Sequence, residues 1–386
     1  MAPVKRRAVR GAAGLGALVL LAGGLFWFAG GGYERWSTGR MLTSACDGVL
    51  PAGQVRSLLG EGPLKTGGDE SGGGLDDPTT SLRVVCGISR VTERNAGKPV
   101  DDGSVSVTIN GVPTLGREAR HYETFYPTLR SELPPAPLGQ GWNGAFGMDE
   151  DHGEAKATTA VLLDCAPGRG DLLITVAVNV EGYVDDSPLD DPERRTAFAR
   201  IATDTAANAS RRWNCDADLG EALTTAPLPV NKDEYVAPAD AKGTCSGIPA
   251  RGKAVARAWE SGRGTTPFEA CVLGDTEGRT TYRLAAHYGP YAEGARHDHA
   301  ERLGDPDPIA SGQRSGLLGN GGYWTTATCP GSGEPAFFSL IPYSDKAKRS
   351  DADRAYELSV LKVFAERSAA AHRCAAPAAP TTTTAP

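Results

Sequence analysis

Eight cysteines fall into two sets of four, and the second set repeats the surroundings of the first. Leu163-Asp164-Cys165-Ala166-Pro167-Gly168 returns as Ala327-Thr328-Cys329-Pro330-Gly331, and Arg211-Arg212-Trp213-Asn214-Cys215 returns as Ala371-His372-Arg373-Cys374. Each copy places a cysteine in a short apolar run, then a turn, a second apolar run and an Asp/Arg-rich amphipathic segment that closes on another cysteine. A chain of 386 residues exceeds one typical domain, and the duplication makes two domains the expectation.

None of the cysteines forms the Cys-x-x-Cys pair that zinc and thioredoxin-like sites use, so disulfides are the better reading and imply an oxidising compartment. Bridges confined to one copy allow three connectivities in each half. Cys46 with Cys86, Cys165 with Cys215, Cys245 with Cys271 and Cys329 with Cys374 is favoured, because each pair ties a helix-like segment to a strand-like one. The other reading leaves some cysteines free and buried.

Residues 1–10 are basic, and Gly11 to Gly32 run 22 residues without a charge. Such a helix spans a hydrocarbon core of roughly 30 Å at about 1.5 Å per residue. The cationic flank stays in the cytoplasm by the positive-inside rule, leaving the rest of the chain outside. Ala29-Gly30-Gly31 also offers a cleavage site for a signal peptide, which gives the same compartment without the tether. Outside that flank, 36 basic residues face 47 acidic ones, a balance of −11. Phosphate contact needs clustered Lys and Arg, so this acidic body argues against a nucleic-acid partner.

The expected organisation follows: a cytoplasmic flank at 1–10, a membrane span at 11–32, a juxtamembrane segment at 33–45, a first domain at 46–215, a linker at 216–244, a second domain at 245–374 and an unfolded Pro/Thr/Ala tail at 375–386. In the first domain, Pro51 to Gly60 reads as a short helix, residues 65–80 as a Gly-rich flexible loop, and 82–88 and 104–109 as strands. Residues 133–144 read as a loop. Thr158 to Cys165 and Leu172 to Val180 read as a hairpin, and Asp191-Pro192 as the N-cap and first position of a helix running to about Trp213. The second domain repeats the order, with an opening helix near 249–260, strands near 267–273, 280–288, 322–329 and 335–341, and a closing helix from Asp351 to Arg373. Each domain is thus expected to be α+β, an antiparallel sheet with a short opening helix and a longer closing helix on one face.

Cys46-Asp47-Gly48-Val49-Leu50-Pro51 through Ser57-Leu58-Leu59-Gly60 resembles the opening of a family of secreted actinobacterial envelope lipoproteins of unknown function. That opening has a cysteine, a small loop, an apolar residue and a short helix ending Leu-Leu-Gly. The similarity covers these 15 residues and the cysteine layout. This chain differs in carrying an apolar anchor in place of a lipid-bearing cysteine, and two domains in place of one. The resemblance implies an envelope location and no particular activity.

Candidates for chemistry are few. His297-Asp298-His299 puts two imidazoles on one side of an extended strand, but its Gly/Asp/Glu surroundings read as a solvated loop, short of a full ligand set. Asp149-Glu150-Asp151-His152-Gly153-Glu154, and Asp185-Asp186 with Asp190-Asp191, are acidic clusters that miss the spacing of a calcium loop. Gly139-Gln140-Gly141-Trp142-Asn143-Gly144 fits a dinucleotide pattern without its strand-to-helix context, and with Gly319 to Trp324 it reads as a repeated turn. Trp142, Trp213, Trp259, Trp324, Tyr288 and Tyr291 are core aromatics or, in the sharper reading, the lining of a groove between the copies. No hydrolase, metalloprotease or phosphate-loop motif is present.

The expectation is therefore a single-pass, non-catalytic protein of the bacterial cell envelope, without cofactor or metal, whose disulfide-bonded domains bind an envelope protein or a small ligand. The alternative is an extracytoplasmic hydrolase of cell-wall polymers, with Asp149, Asp151 or Glu154 as acid and base.

Overall fold

The computed structural model describes residues 32–60, 62–75, 81–94, 98–112, 133–151, 154–166, 169–179, 191–303, 312–330, 334–343 and 349–382. The expected membrane span lies outside them except for Gly32, which opens helix α1 (Gly32–Ser44). Among the described residues no helix is long and apolar enough to cross a membrane.

The first domain holds helix α2 (Ala52–Leu59), strands β1 (Leu64–Gly72), β2 (Arg83–Arg94), β3 (Lys98–Val112), β4 (Ala136–Gly139), β5 (Trp142–Asp151), β6 (Glu154–Asp164) and β7 (Asp171–Asn179), and helix α3 (Pro192–Arg212). The seven strands make one antiparallel sheet in the order β1-β2-β3-β7-β6-β5-β4. The second domain holds β8 (Arg257–Glu260), β9 (Phe268–Gly274), β10 (Thr280–His287), helix α4 (Pro290–Leu303), β11 (Ser315–Leu317), β12 (Tyr323–Ala327), β13 (Ala336–Pro342) and helix α5 (Asp351–Ala371). Its sheet runs β8-β9-β10-β13-β12-β11, also antiparallel. The two orders coincide: three strands are laid down side by side, the chain crosses to the far edge, and the remaining strands return to meet the third. The first sheet has one strand more in the returning set.

The copies also agree at the level of single residues. Four disulfides join Cys46–Cys86, Cys165–Cys215, Cys245–Cys271 and Cys329–Cys374, each within its own copy. Gly48 and Gly247, two residues after the first cysteine of each copy, both have left-handed backbone at φ 80° and 83°. There glycine avoids the clash that a Cβ would bring. The residue before each closing cysteine, Asn214 or Arg373, is left-handed too, at φ 50° and 58°. Each closing helix has 21 residues. Asp191 caps the first by accepting from Glu193 and Arg194 N–H groups, and Ser350 caps the second in a capping box with Asp353.

Strict alternation explains the first core: Val105, Val107 and Ile109 on β3 and Ile174, Val176 and Val178 on β7 point to the face covered by α3, which adds Phe198, Ile201 and Ala202. The second core repeats this with Leu284, Phe338 and Leu340 under Val360, Leu361 and Phe364 of α5. Both sheets use their other face as well. Ala292 and Ala295 of α4 cover Trp324 and Phe337. Leu162, Leu173, Ala145, Ala160 and Val112 on the first sheet pack on Phe268 and Tyr291 of the second domain, forming an apolar seam between the copies.

Several local expectations are corrected. The Gly-rich stretch 65–80 contains β1, an edge strand whose exposed residues need no apolar alternation to pair with β2. Residues 133–144 contain β4 and the start of β5, joined by a turn in which Gly139, Gln140 and Gly141 all have positive φ. The second copy has no opening helix: the run Ala254 to Trp259 enters β8, where Ala258 exchanges backbone hydrogen bonds with Val236 and Trp259 is buried. A six-residue run with five apolar residues around Arg257 fits either period, and burial of the Trp259 ring decides for the strand. Residues 290–303, read as a loop, are helix α4.

The connector is fastened to both domains. Its first half covers the first core with Leu223 and Ala226, and Trp142 Nε1 donates to Glu221 O at 2.7 Å. Its second half receives the Trp259 indole on Lys232 O at 2.8 Å. Beyond Cys374 the described tail has no regular secondary structure, yet Ala375 and Ala378 N–H groups donate to Thr328 and Thr326 carbonyls at 2.7 and 3.1 Å. It lies along the part of β12 that the three-residue β11 leaves unpaired.

Candidate functional site

His297 and His299 stand on helix α4, where a spacing of two residues puts side chains on opposite sides of the axis. The shared face that chelation would need is therefore missing, and the His299 ring instead sits 5.8 Å from Phe337. Among the described residues no group of three or more His, Cys, Asp or Glu side chains is arranged to hold a metal.

Asp149, Asp151 and Glu154 belong to the β5–β6 hairpin, with Asp151 opposite Glu154 in register, while His152, Gly153, Asp185, Asp186 and Asp190 lie outside the described residues. Asp191 is a helix cap. The six aromatics divide among different environments. Trp142 belongs to the first core, Trp213 packs at its edge, Tyr288 joins the second core, Trp259 is buried against the connector at Lys232, Trp324 lies under α4, and Tyr291 alone reaches the seam, edge-on to Phe268 at 5.4 Å.

Sequence reasoning missed a buried polar cluster in the second domain. Glu269 on β9 accepts from Ser368 Oγ at 2.7 Å and contacts His372 Nε2 at 3.1 Å, Tyr288 Oη meets Ser368 Oγ at 2.6 Å, and the Tyr288 and His372 rings stack at 3.7 Å. Burial pushes the Tyr288 hydroxyl well above its usual range, with the Glu269 charge adding to it. In a nucleophilic triad the imidazole bridges hydroxyl and carboxylate. Here the carboxylate bridges hydroxyl and imidazole, and Ser368 is 1% exposed, so no substrate reaches it. Aligned on the cysteines and the sheet register, the same places in the first copy hold Val84, Ala209, Trp213 and Gly111. The fold thus closes with apolar groups as well as polar ones, and the cluster tethers the end of α5 to β9.

A second buried pair has the same character. Arg349 Nη1 donates to Glu357 Oε2 at 2.8 Å and Nη2 to Gly321 O at 2.7 Å, locking the start of α5 to the turn before β12. Burial raises the Glu357 carboxyl above its usual range against the opposing pull of Arg349.

The first domain has an open cleft of about 530 Å³ between α2 and α3. Gln54, Ser57 and Leu58 come from one helix, and Glu193, Arg194, Ala197, Phe198 and Arg200 from the other. Gln54 Nε2 donates to the Asp204 carboxylate, which fixes the amide's orientation, since an acceptor must face a donor. Arg200 Nε donates to Leu223 O at 2.6 Å, holding its guanidinium in place. The volume is that of an ordinary small-ligand pocket.

The second copy lacks the helix that forms one wall of this cleft, and on its closing helix, also of 21 residues, Tyr356 stands where the first has Ala197. Its ring lies 5.0 Å from the Arg251 guanidinium and 5.9 Å from Tyr282, and its hydroxyl donates to Pro249 O at 2.7 Å. Arg251 also pairs with Asp353 at 2.7 Å, across the position equivalent to Arg194. The Asp353 carboxyl is held below its usual range, first by the Ser350 hydrogen bonds and then by Arg251.

The chain matches no known protein family, no curated protein and no solved structure. Its four disulfides fit an oxidising, extracytoplasmic compartment.

Proposed function

We propose that this is a non-catalytic binding protein of the bacterial envelope, attached to the membrane through residues 11–32 with its N-terminus in the cytoplasm, and that its first domain holds the ligand. The observation that carries this reading is the cleft between α2 and α3, built in the first copy by a helix that the second lacks and by Ala197 where the second has Tyr356. Divergence between duplicated domains in the elements that wall a pocket is expected where one copy binds and the other supports. Among the residues lining the cleft, Glu193 is the single carboxylate, whereas acid–base hydrolysis of a glycan uses a pair. This favours binding over hydrolysis of wall polymers.

Native mass spectrometry of the full chain, expressed with export and purified without reductant, tests the reading. The expected result is a mass short by eight hydrogens, with an added ligand mass that disappears in Ala197→Tyr. Turnover of peptidoglycan or glycan by the same preparation would refute the non-catalytic assignment.

A further inference from the structure

We infer that the cleft takes the carboxylate end of a peptide, a conclusion that rests on the first domain being the binding domain. The lining carries both signs of charge, two arginines and one glutamate, around an apolar floor of Leu58, Ala197 and Phe198. A simple anion would use the arginines and be repelled by Glu193. A purely apolar ligand would use the floor and leave the charges unanswered. A peptide end satisfies the whole set: its carboxylate faces Arg194 and Arg200, its last side chain covers the floor, and its N–H groups meet Glu193, Ser57 and Gln54. Guanidinium groups suit this role because their planar fork matches a carboxylate with two parallel hydrogen bonds. The bond from Arg200 to Leu223 O reduces the side-chain freedom lost on binding.

Gln54 adds an independent pointer. With Nε2 committed to Asp204, its Oε1 is buried and has no hydrogen-bond donor. An acceptor in that condition is costly unless something supplies a proton. Gln54 lines the cleft, and a peptide N–H entering there is the donor that answers it while Nε2 stays on Asp204. A fatty acid or inorganic anion offers no such donor.

The test uses the full chain in nanodiscs of zwitterionic lipid, titrated calorimetrically with N-acetyl-alanyl-leucine, with the same compound as its C-terminal amide, and with dodecanoate. The free acid is expected to bind and the amide to bind at least about ten-fold more weakly, since a charge-assisted hydrogen bond is lost. Arg194→Gln should weaken the acid by a similar factor and erase the preference over the amide. Ala197→Tyr should abolish binding at an unchanged melting temperature, because Ala197 is exposed and a tyrosine already occupies the same helical position in the second copy. Equal affinity for acid and amide, or undiminished binding by Ala197→Tyr, overturns the inference. Binding of dodecanoate in place of the peptide overturns the ligand class while leaving the first domain as the binding domain. Absence of any binding overturns the peptide assignment, and the native mass spectrum then decides separately whether the domain carries another ligand.

Discussion

Glu357 occupies the helical position that Phe198 holds in the first copy, so one fold tolerates a charge and a ring at the same buried place. The charge is tolerable because Arg349 answers it, and removing one partner strands the other. Arg349→Ala is expected to cost about 3–5 kcal/mol in urea denaturation. The double replacement Arg349→Leu with Glu357→Phe, which exchanges the ion pair for an apolar pair with the first copy's phenylalanine at 357, is expected to fall within about 1 kcal/mol of the parent. His287 shows a related tension. Burial, then the charges of His299 and Arg283, lower its pKa from 6.5 to about 3. The unfolded chain takes up this proton near pH 6.5 and the folded chain only near 3, so the folded state binds fewer protons between those values. Stability that is complete above pH 6.5 therefore falls as pH drops through that window, by about 1.4 kcal/mol per pH unit. Melting temperatures of the parent and His287→Leu between pH 7 and 5 check this, and the variant should show the shallower slope.

At the scale of elements, the fastening of the connector makes a sharp prediction. A Cβ on Gly220 would overlap the Trp142 ring, whose indole already holds the neighbouring Glu221 carbonyl. Gly220→Ala should destabilise the first domain by about 1–3 kcal/mol, read as a lower urea midpoint. The elements also differ in how legible they were. The closing helices announce themselves through Asp191-Pro192 and through the stripe from Tyr356 to Phe364, and the central strands through alternation on β3 and β7. What escaped was structure held by pairing and not by pattern. The edge strand β1 borrows its order from β2, and β8 forms because Val236 and β9 flank it. Helix α4 hides because the residues it buries mix Tyr291, Ala292 and Ala295 with the charged Glu293 and Arg296, which gives no apolar period. The cleft was invisible for another reason. No motif marks it, and Ala197 acquires meaning only beside Tyr356, after the two helices have been laid on each other.

Across the whole molecule, the seam makes the two copies one cooperative body. Leu162→Asp places a charge against Phe268 and Tyr291, and calorimetry should then resolve two unfolding transitions where the parent shows one. The order of the bridges has a further consequence, for how the protein is made. Each disulfide joins one cysteine to the next in the chain, across 26 to 50 residues. A polypeptide leaving a translocation channel presents its thiols in sequence, and pairing each with the next to emerge produces the native set. An oxidase that acts on thiols in order of arrival suffices, and a shuffling isomerase has no mispairing to repair. Secretion into a compartment that lacks disulfide isomerase should therefore give the same yield of fully bridged protein as secretion into one that has it.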